Sequence, residues 1–279
     1  ASEDEHSGAK NPAAAGSELE QAMVKLIRLV ANLAISREVG PQIGANPAIV
    51  ILLKLLQDKT PDKHEELALN VVGAITNISF YFDTPANVLT AHQMEIATIL
   101  IPHLVDENEE AAIEAIRAFG NLSQSQEIKD MMLERRVDEI LSVILEHPNK
   151  EVVFNACGVI MNVATDIASK HAPVCQEMVP KLLMLLEAGI AAGAVPPPPS
   201  SASKSSSSSS TPPSHSLELA TVVCKTLYNV CIDDRVKLLS AEQLESLCRS
   251  LKSALALPPT IGPADLPDVS QQLLLLCNQ

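Results

Sequence analysis

The chain has 279 residues, 47% of them apolar and 19% charged, with a formal net charge of −14 and a pI near 4.9. That apolar share is enough to bury a core of one or two units, while the acidity, the 2% aromatic content and the lack of Trp exclude nucleic acid as a partner, because counterion release and base stacking have no parts to work with. No apolar run approaches the roughly 18 residues of a bilayer span; the longest are interrupted by Lys54, Pro102 and Lys181, so no membrane segment is expected.

Residues 1–16 read as a disordered lead-in and residues 17–279 as one repeat domain. The chain opens on Ala rather than Met, shows no signal peptide, and enters a repeat partway, which points to a piece of a longer polypeptide. Ser17–Ser36 is expected to be a terminal long helix whose shorter companions are missing. Pro47–Leu56 follows as a medium helix, with Pro47 suited to its first position. A second long helix carries Leu67, Val71, Ala74, Ile75 and Ile78. Pro102 should kink the next medium helix by removing a hydrogen bond. Ile113, Ile116, Phe119 and Leu122 then mark another long helix, and Glu127–Glu134 a short polar one. Val137–Leu145 is medium, Val152, Ala156, Val159 and Val163 lie on a long helix, and Val179–Leu186 is medium again with Pro180 near its start. Each long stretch has apolar residues at i, i+3, i+4 and i+7, one buried face over several turns. Alternating Val, Ile and Thr runs bounded by turns are absent, so no sheet is expected.

A triplet headed by asparagine closes each long helix: Asn32-Leu33-Ala34, Asn77-Ile78-Ser79, Asn121-Leu122-Ser123, Asn162-Val163-Ala164 and Asn229-Val230-Cys231. The spacings are 45, 44, 41 and 67 residues. The outlier contains residues 190–214, a stretch of 25 residues rich in Ala, Gly, Pro and Ser, without which it falls to 42. Such a segment cannot bury apolar area and is expected to be a disordered insert between two helices of one repeat. Repeats are thus placed at about 39–82, 84–125, 126–167 and 168–232, with a partial unit at 233–279 that is broken by Leu257-Pro258-Pro259 and lacks the triplet.

Short, medium and long helices recurring at this period, with G-A-N-P-A-I-V-x-L-L-K-L-L at 44–56 and A-x-N-V-V-G-A-I-T-N-I-S at 68–79, resemble the armadillo repeat. HEAT repeats usually lack this Asn and the split first helix. The resemblance implies an all-α, right-handed superhelical armadillo-repeat solenoid of about five to six partly degenerate repeats, whose long helices line a concave groove. In the catenin and nuclear-import receptor families the asparagines grip the backbone of an extended partner, a role that would fall here to Asn32, Asn77, Asn121, Asn162 and Asn229. The same residue type near a helix end also satisfies loose backbone groups, so both readings stand. One turn earlier lie Arg28, Gly73, Arg117, Gly158 and Lys225, where import receptors place Trp. Without Trp, a receptor for basic signals is disfavoured. Arg28, Arg117 and Lys225 could hold an acidic partner segment or pair with acids on neighbouring helices.

Nothing else in the chain suggests chemistry. His171 and Cys175 stand at i, i+4, too few ligands for zinc, and no G-x-S-x-G, phosphate-binding Gly loop or H-E-x-x-H occurs. No catalytic site, cofactor or metal is expected. Six widely spaced cysteines without a C-x-x-C pair read as reduced core thiols. Asn77-Ile-Ser and Asn121-Leu-Ser match glycosylation sequons but lie on apolar helices. Finally, L-I-R-L-V-A-N-L-A-I-S-x-E-V-G-P at 26–41, E-E-L-x-L-N-V-V-x-A-I-T-N-I-S-F-Y at 65–81, I-x-A-x-R-A-F-G-N-L-S at 113–123 and V-F-N-A-C-G-V-I-M-N at 153–162 are similar to the armadillo repeat-containing protein 2 family, in its C-terminal repeat region. Within it the Pro/Ser tract and alanine richness suit a green-algal version. That resemblance implies work in cilia and flagella: an adaptor bringing radial spoke or central-pair components to intraflagellar transport, or alternatively a resident structural part of the axoneme. The location it implies is cytoplasm and cilium.

Overall fold

The computed structural model describes residues 12–58, 61–194, 213–232, 235–258 and 262–278, and among these every regular element is helical. The chain divides into two compact units, Ala1–Leu122 and Ser123–Gln279.

In the first unit, α1 (Pro12–Ala34) is a long helix that buries Val24, Ile27 and Ala34. A five-residue helix α2 (Gly40–Gly44) and a 3-10 turn at Pro47–Val50 lead into α3 (Ile51–Asp58). Asn46 caps the 3-10 turn, its side chain accepting the Ala48 N–H at 2.9 Å, with Pro47 at the first position where a missing N–H costs nothing. The long α4 (Pro61–Ser79) packs against α1, burying Leu67, Val71, Ala74, Ile75 and Ile78. After a 3-10 turn at Val88–His92, α5 (Gln93–Leu100) is short, and α6 (Glu109–Leu122) lies against α4. Asn87 and Asn108 head their helices as Asn46 does, through Leu89 N–H at 3.0 Å and Glu110 N–H at 2.9 Å. Pro102 does not kink a helix. The α-helix stops at Leu100 and the chain continues as a 3-10 turn, Pro102–Val105, in which proline takes the first position.

The second unit holds α7 (Gln126–Glu134), α8 (Val137–Ile144) and the long α9 (Lys150–Lys170), followed by α10 (Ala172–Gly193), α11 (Pro213–Cys231), α12 (Ala241–Leu255) and α13 (Leu266–Cys277). Here α9 outruns its triplet by two turns. The expected short and medium helices of the next repeat are fused into α10, which runs unbroken through Pro180. Buried Val179, Leu182 and Leu183 hold that turn in place despite the lost hydrogen bond. The partial unit keeps two helices, α12 with a Ser240/Gln243 capping box and α13 packed on α11.

Several boundaries differ from the sequence reading. Of the expected lead-in 1–16, residues 12–16 belong to α1, and residues 1–11 lie outside the described residues. The expected insert 190–214 is shorter at both ends: Ile190 is buried, α10 continues to Gly193, and α11 starts at Pro213. Only 195–212 falls outside the described residues. Small residues read as a linker because they carry no apolar stripe, yet here they let two helices approach closely. A Cβ at Gly193, inside the expected insert, would collide with the Leu217 side chain of α11, and one at Gly189, just before it, would meet the Ser216 carbonyl oxygen at 2.8 Å. Two stretches bear on the membrane reading. Lys150–Lys170 is long and apolar enough to cross a bilayer by composition, but more than half of it is buried in protein. Val88–Val105, somewhat less apolar, is broken into three short helical pieces.

Candidate protein-binding face

Within each unit, neighbouring long helices bring their triplets side by side. In the first, Asn77 Nδ2 donates to Ala31 O at 3.0 Å, and Asn121 Nδ2 donates to Thr76 O at 3.1 Å and Ser79 Oγ at 2.9 Å. In the second, Asn162 Nδ2 donates to Ser123 Oγ at 2.9 Å and Asn229 Nδ2 to Met161 O at 2.9 Å. A single rule covers all four. Each asparagine reaches back to the triplet of the preceding long helix, to the carbonyl just before its Asn, to the side chain of its third residue, or to both. Where the third residue is Ser79 or Ser123 a hydroxyl receives the amide, and where it is Ala34 or Ala164 only the carbonyl is engaged. The serines that mimic sequons are therefore the partners of the next repeat's asparagine, a relation visible in the triplets but not recognised there. Asn32, on α1, is exposed.

These asparagines are half-buried staples first. An amide has two N–H donors and a carbonyl acceptor, so Asn77 and Asn229 each retain one N–H and Oδ1, and Asn121 retains Oδ1.

The cations one turn earlier are all engaged within the chain. Arg28 donates through Nη2 to Glu66 Oε1 and through Nε to Asn70 Oδ1, both at 3.1 Å, on the next long helix. Arg117 Nη1 pairs with Glu114 Oε1 of its own helix at 2.6 Å. Lys225 bonds to Asp265, just ahead of α13, and this hydrogen bond holds the Asp265 carboxyl below its ordinary value. Arg28 and Lys225 thus pair with acids beyond their own helices, and Arg117 with one on its own. Glu66, Glu114 and Asp265 escaped the sequence reading because two of them lie about one repeat away from their partners. The glycines differ from each other: Gly73 faces the Glu114 carboxylate, 3.8 Å from a built Cβ, while Gly158 meets nothing within 4 Å.

His171 is not joined to Cys175 as a ligand pair. Its Nδ1 lies 2.7 Å from Oδ2 of the buried Asp138, and Cys175 is buried. Among the described residues no group of three or more His, Cys, Asp or Glu side chains is placed to hold a metal ion.

No protein-family model matches the chain. Among curated proteins, armadillo repeat-containing protein 2 of Mus musculus is 38% identical over 151 residues, 54% of this chain and 18% of that protein. The protein of the same name from Bos taurus is 33% identical over 227 residues, 81% of this chain and 23% of its own length. The chain thus spans about a fifth of the length of these relatives. Among solved structures, a designed armadillo repeat protein superposes with a TM-score of 0.61 at 20% identity, covering 94% of both chains. A second designed armadillo repeat protein, in complex with the peptide (KR)4, gives 0.59 at 20% identity over 94% of this chain and 100% of that one. The chain has the armadillo-repeat fold and is homologous, over most of its length, to a stretch of armadillo repeat-containing protein 2.

Proposed function

We propose that the chain is a non-enzymatic protein-binding scaffold of axoneme assembly, an adaptor that links radial spoke or central-pair cargo to intraflagellar transport. The observation that carries the binding part is the recurrence of one amide on successive long helices, each stapled through Nδ2. Asn77 and Asn229 still hold a free donor and acceptor for the backbone of an extended segment. A designed protein of the same fold is recorded with a peptide, which supports the same mode. The ciliary part is supported by the phrase-level match to armadillo repeat-containing protein 2, and the partners are those implied by that resemblance.

The test is capture from ciliating cells with the wild-type chain and an Asn77→Ala/Asn121→Ala/Arg117→Glu variant. Because Asn121 also holds two helices together, the variant is first shown by thermal melting to be folded at the capture temperature. Selective loss of ciliary partners supports the reading; equal recovery by both forms removes it. Cargo adaptors leave the mature cilium, so a tagged chain that stays in the axoneme after salt extraction would replace the adaptor with a resident structural part.

A further inference from the structure

We propose that a small cavity between α4 and α6 takes the guanidinium of an arginine on a partner protein. The cavity, of about 260 Å³, opens where the first half of α4 faces the 3-10 turn Pro102–Val105 and the start of α6. Its floor is aliphatic: Ala68 and Val72 are buried, and Leu69 and Ala111 are half-buried. Its rim is acidic, with Glu65 of α4 on one side and Asp106 and Glu107 on the other. Bonds within the chain hold that rim in shape. Asn108 Nδ2 donates to Glu65 Oε1 at 2.6 Å, tying the head of α6 to α4, and His103 Nδ1 lies 2.9 Å from Asp106 Oδ2.

The rim is short of a cation. Elsewhere acids are answered from within the chain: Glu66 by Arg28, Glu114 by Arg117, Asp130 and Asp166 by Lys170. Among the described residues no Lys or Arg is paired with Glu65, Asp106 or Glu107, although Glu65 stands next to Glu66. An ionised carboxylate accepts about four hydrogen bonds. Glu65 receives one from Asn108, and Asp106 receives those of His103 and the Asn108 N–H, so both keep room for a donor from outside.

Shape selects the donor. The three carboxylates are not grouped as ligands of a metal ion, so the rim does not fit a point charge. A guanidinium is wide and planar, with five N–H donors that reach carboxylates set apart. Its aliphatic stem lies against apolar surface while the charged head stays at the polar edge, the order of surfaces found here. The volume falls below the ~300–1,000 Å³ of pockets for whole small molecules and suits one side chain. Glu65, Ala68, Leu69 and Val72 share one face of α4, whereas Glu66, Asn70, Gly73 and Asn77 share another, about 100° round the helix. The cavity therefore stands apart from the amides of the proposed groove.

The test titrates the whole isotope-labelled chain with N-acetyl-arginine amide at constant ionic strength and follows backbone amides by NMR. Those of Leu69, Asn108 and Ala111 should shift along one saturation curve. The citrulline derivative, alike in shape but uncharged, should bind at least about fivefold more weakly, and the lysine derivative more weakly than arginine. Glu65→Gln with Glu107→Gln removes two charges and should weaken arginine by at least about fivefold. Ala111→Leu, which narrows the cavity and keeps every charge, should weaken it too. Asn77→Ala should leave it unchanged, so this site and the groove fail independently. The proposal is overturned by an absence of saturable shifts, by equal binding of arginine and either analogue, by shifts scattered over other acidic surface, or by undiminished binding to Ala111→Leu. Comparison of the three ligands on the wild type decides even if a variant fails to fold.

Discussion

At the scale of single residues, the asparagines bind the fold together before they can bind anything else. Removing Asn121 deletes two hydrogen bonds, one to Ser79 Oγ and one to Thr76 O, which still accepts from the Ser79 hydroxyl at 2.7 Å, while removing Asn77 deletes one, to Ala31 O. Asn121→Ala should therefore cost about 1–2 kcal/mol and Asn77→Ala nearer 1 kcal/mol in urea unfolding. A double-mutant cycle of Asn121→Ala with Ser79→Ala should show coupling of about 0.5–1 kcal/mol; additive effects would mean that the hydroxyl contributes nothing. Asp106 offers a pH test. Burial opposes its charge, but the bonds from His103 at 2.9 Å and the Asn108 N–H at 3.0 Å win, and its carboxyl lies below the ordinary 3.8. A lowered value stabilises the fold in full above the ordinary pKa, and the contribution disappears as pH falls through the folded one. The melting gap between wild type and Asp106→Asn should thus hold steady above roughly pH 5, reflect under about 1 kcal/mol, and close in more acidic solution. A gap that widens in acid would reverse the assignment.

Elements were readable where an apolar stripe outlined them and misread where small residues or proline did. The stripe through Leu67, Val71, Ile75 and Ile78 placed α4, and its analogues placed α6 and α9. No stripe marks Ile190–Gly193, and composition there argued for a loop, although α10 runs through these residues and a Cβ at Gly193 would collide with the Leu217 side chain of α11. Gly189→Ala, a change that would stabilise an ordinary exposed helix, should here destabilise by about 1–3 kcal/mol, because its methyl meets a backbone carbonyl that cannot swing aside. A neutral or stabilising result in thermal melting would show that α10 and α11 can move apart at this point. Proline misled in both directions, ending α5 where a kink was expected and sitting inside α10 where a helix start was expected. On α1, Leu19, Leu26, Leu29 and Leu33 are exposed on one side of the helix, spaced by about two turns and one turn. Such a stripe predicts concentration-dependent association of the isolated chain. Leu26→Lys with Leu33→Lys should shift its sedimentation toward the monomer, and an unchanged profile would show that the stripe is inert.

On the scale of the whole molecule, charge decides which partners can approach. The sequence gives the sign, −14, and it also gives three cations at one register of the long helices. It does not give their carboxylate partners, because Glu66 and Asp265 stand 38 and 40 residues away from Arg28 and Lys225. Once those pairs form, an acidic segment would have to displace Glu66, Glu114 or Asp265 while approaching a surface with excess negative charge. Displacement of an exposed pair costs little, under about 1 kcal/mol, so the long-range field is the larger obstacle, and salt screens it over a Debye length of about 10 Å at 0.1 M. Two synthetic peptides of equal length, one rich in Glu and one in Lys, distinguish the cases by titration calorimetry. Raising salt from about 50 to about 300 mM should strengthen any binding of the acidic peptide and weaken that of the basic one. If the acidic peptide instead binds more tightly at low salt, Arg28, Arg117 and Lys225 are freer than their observed pairs imply. Their substitution by Glu would then abolish that binding.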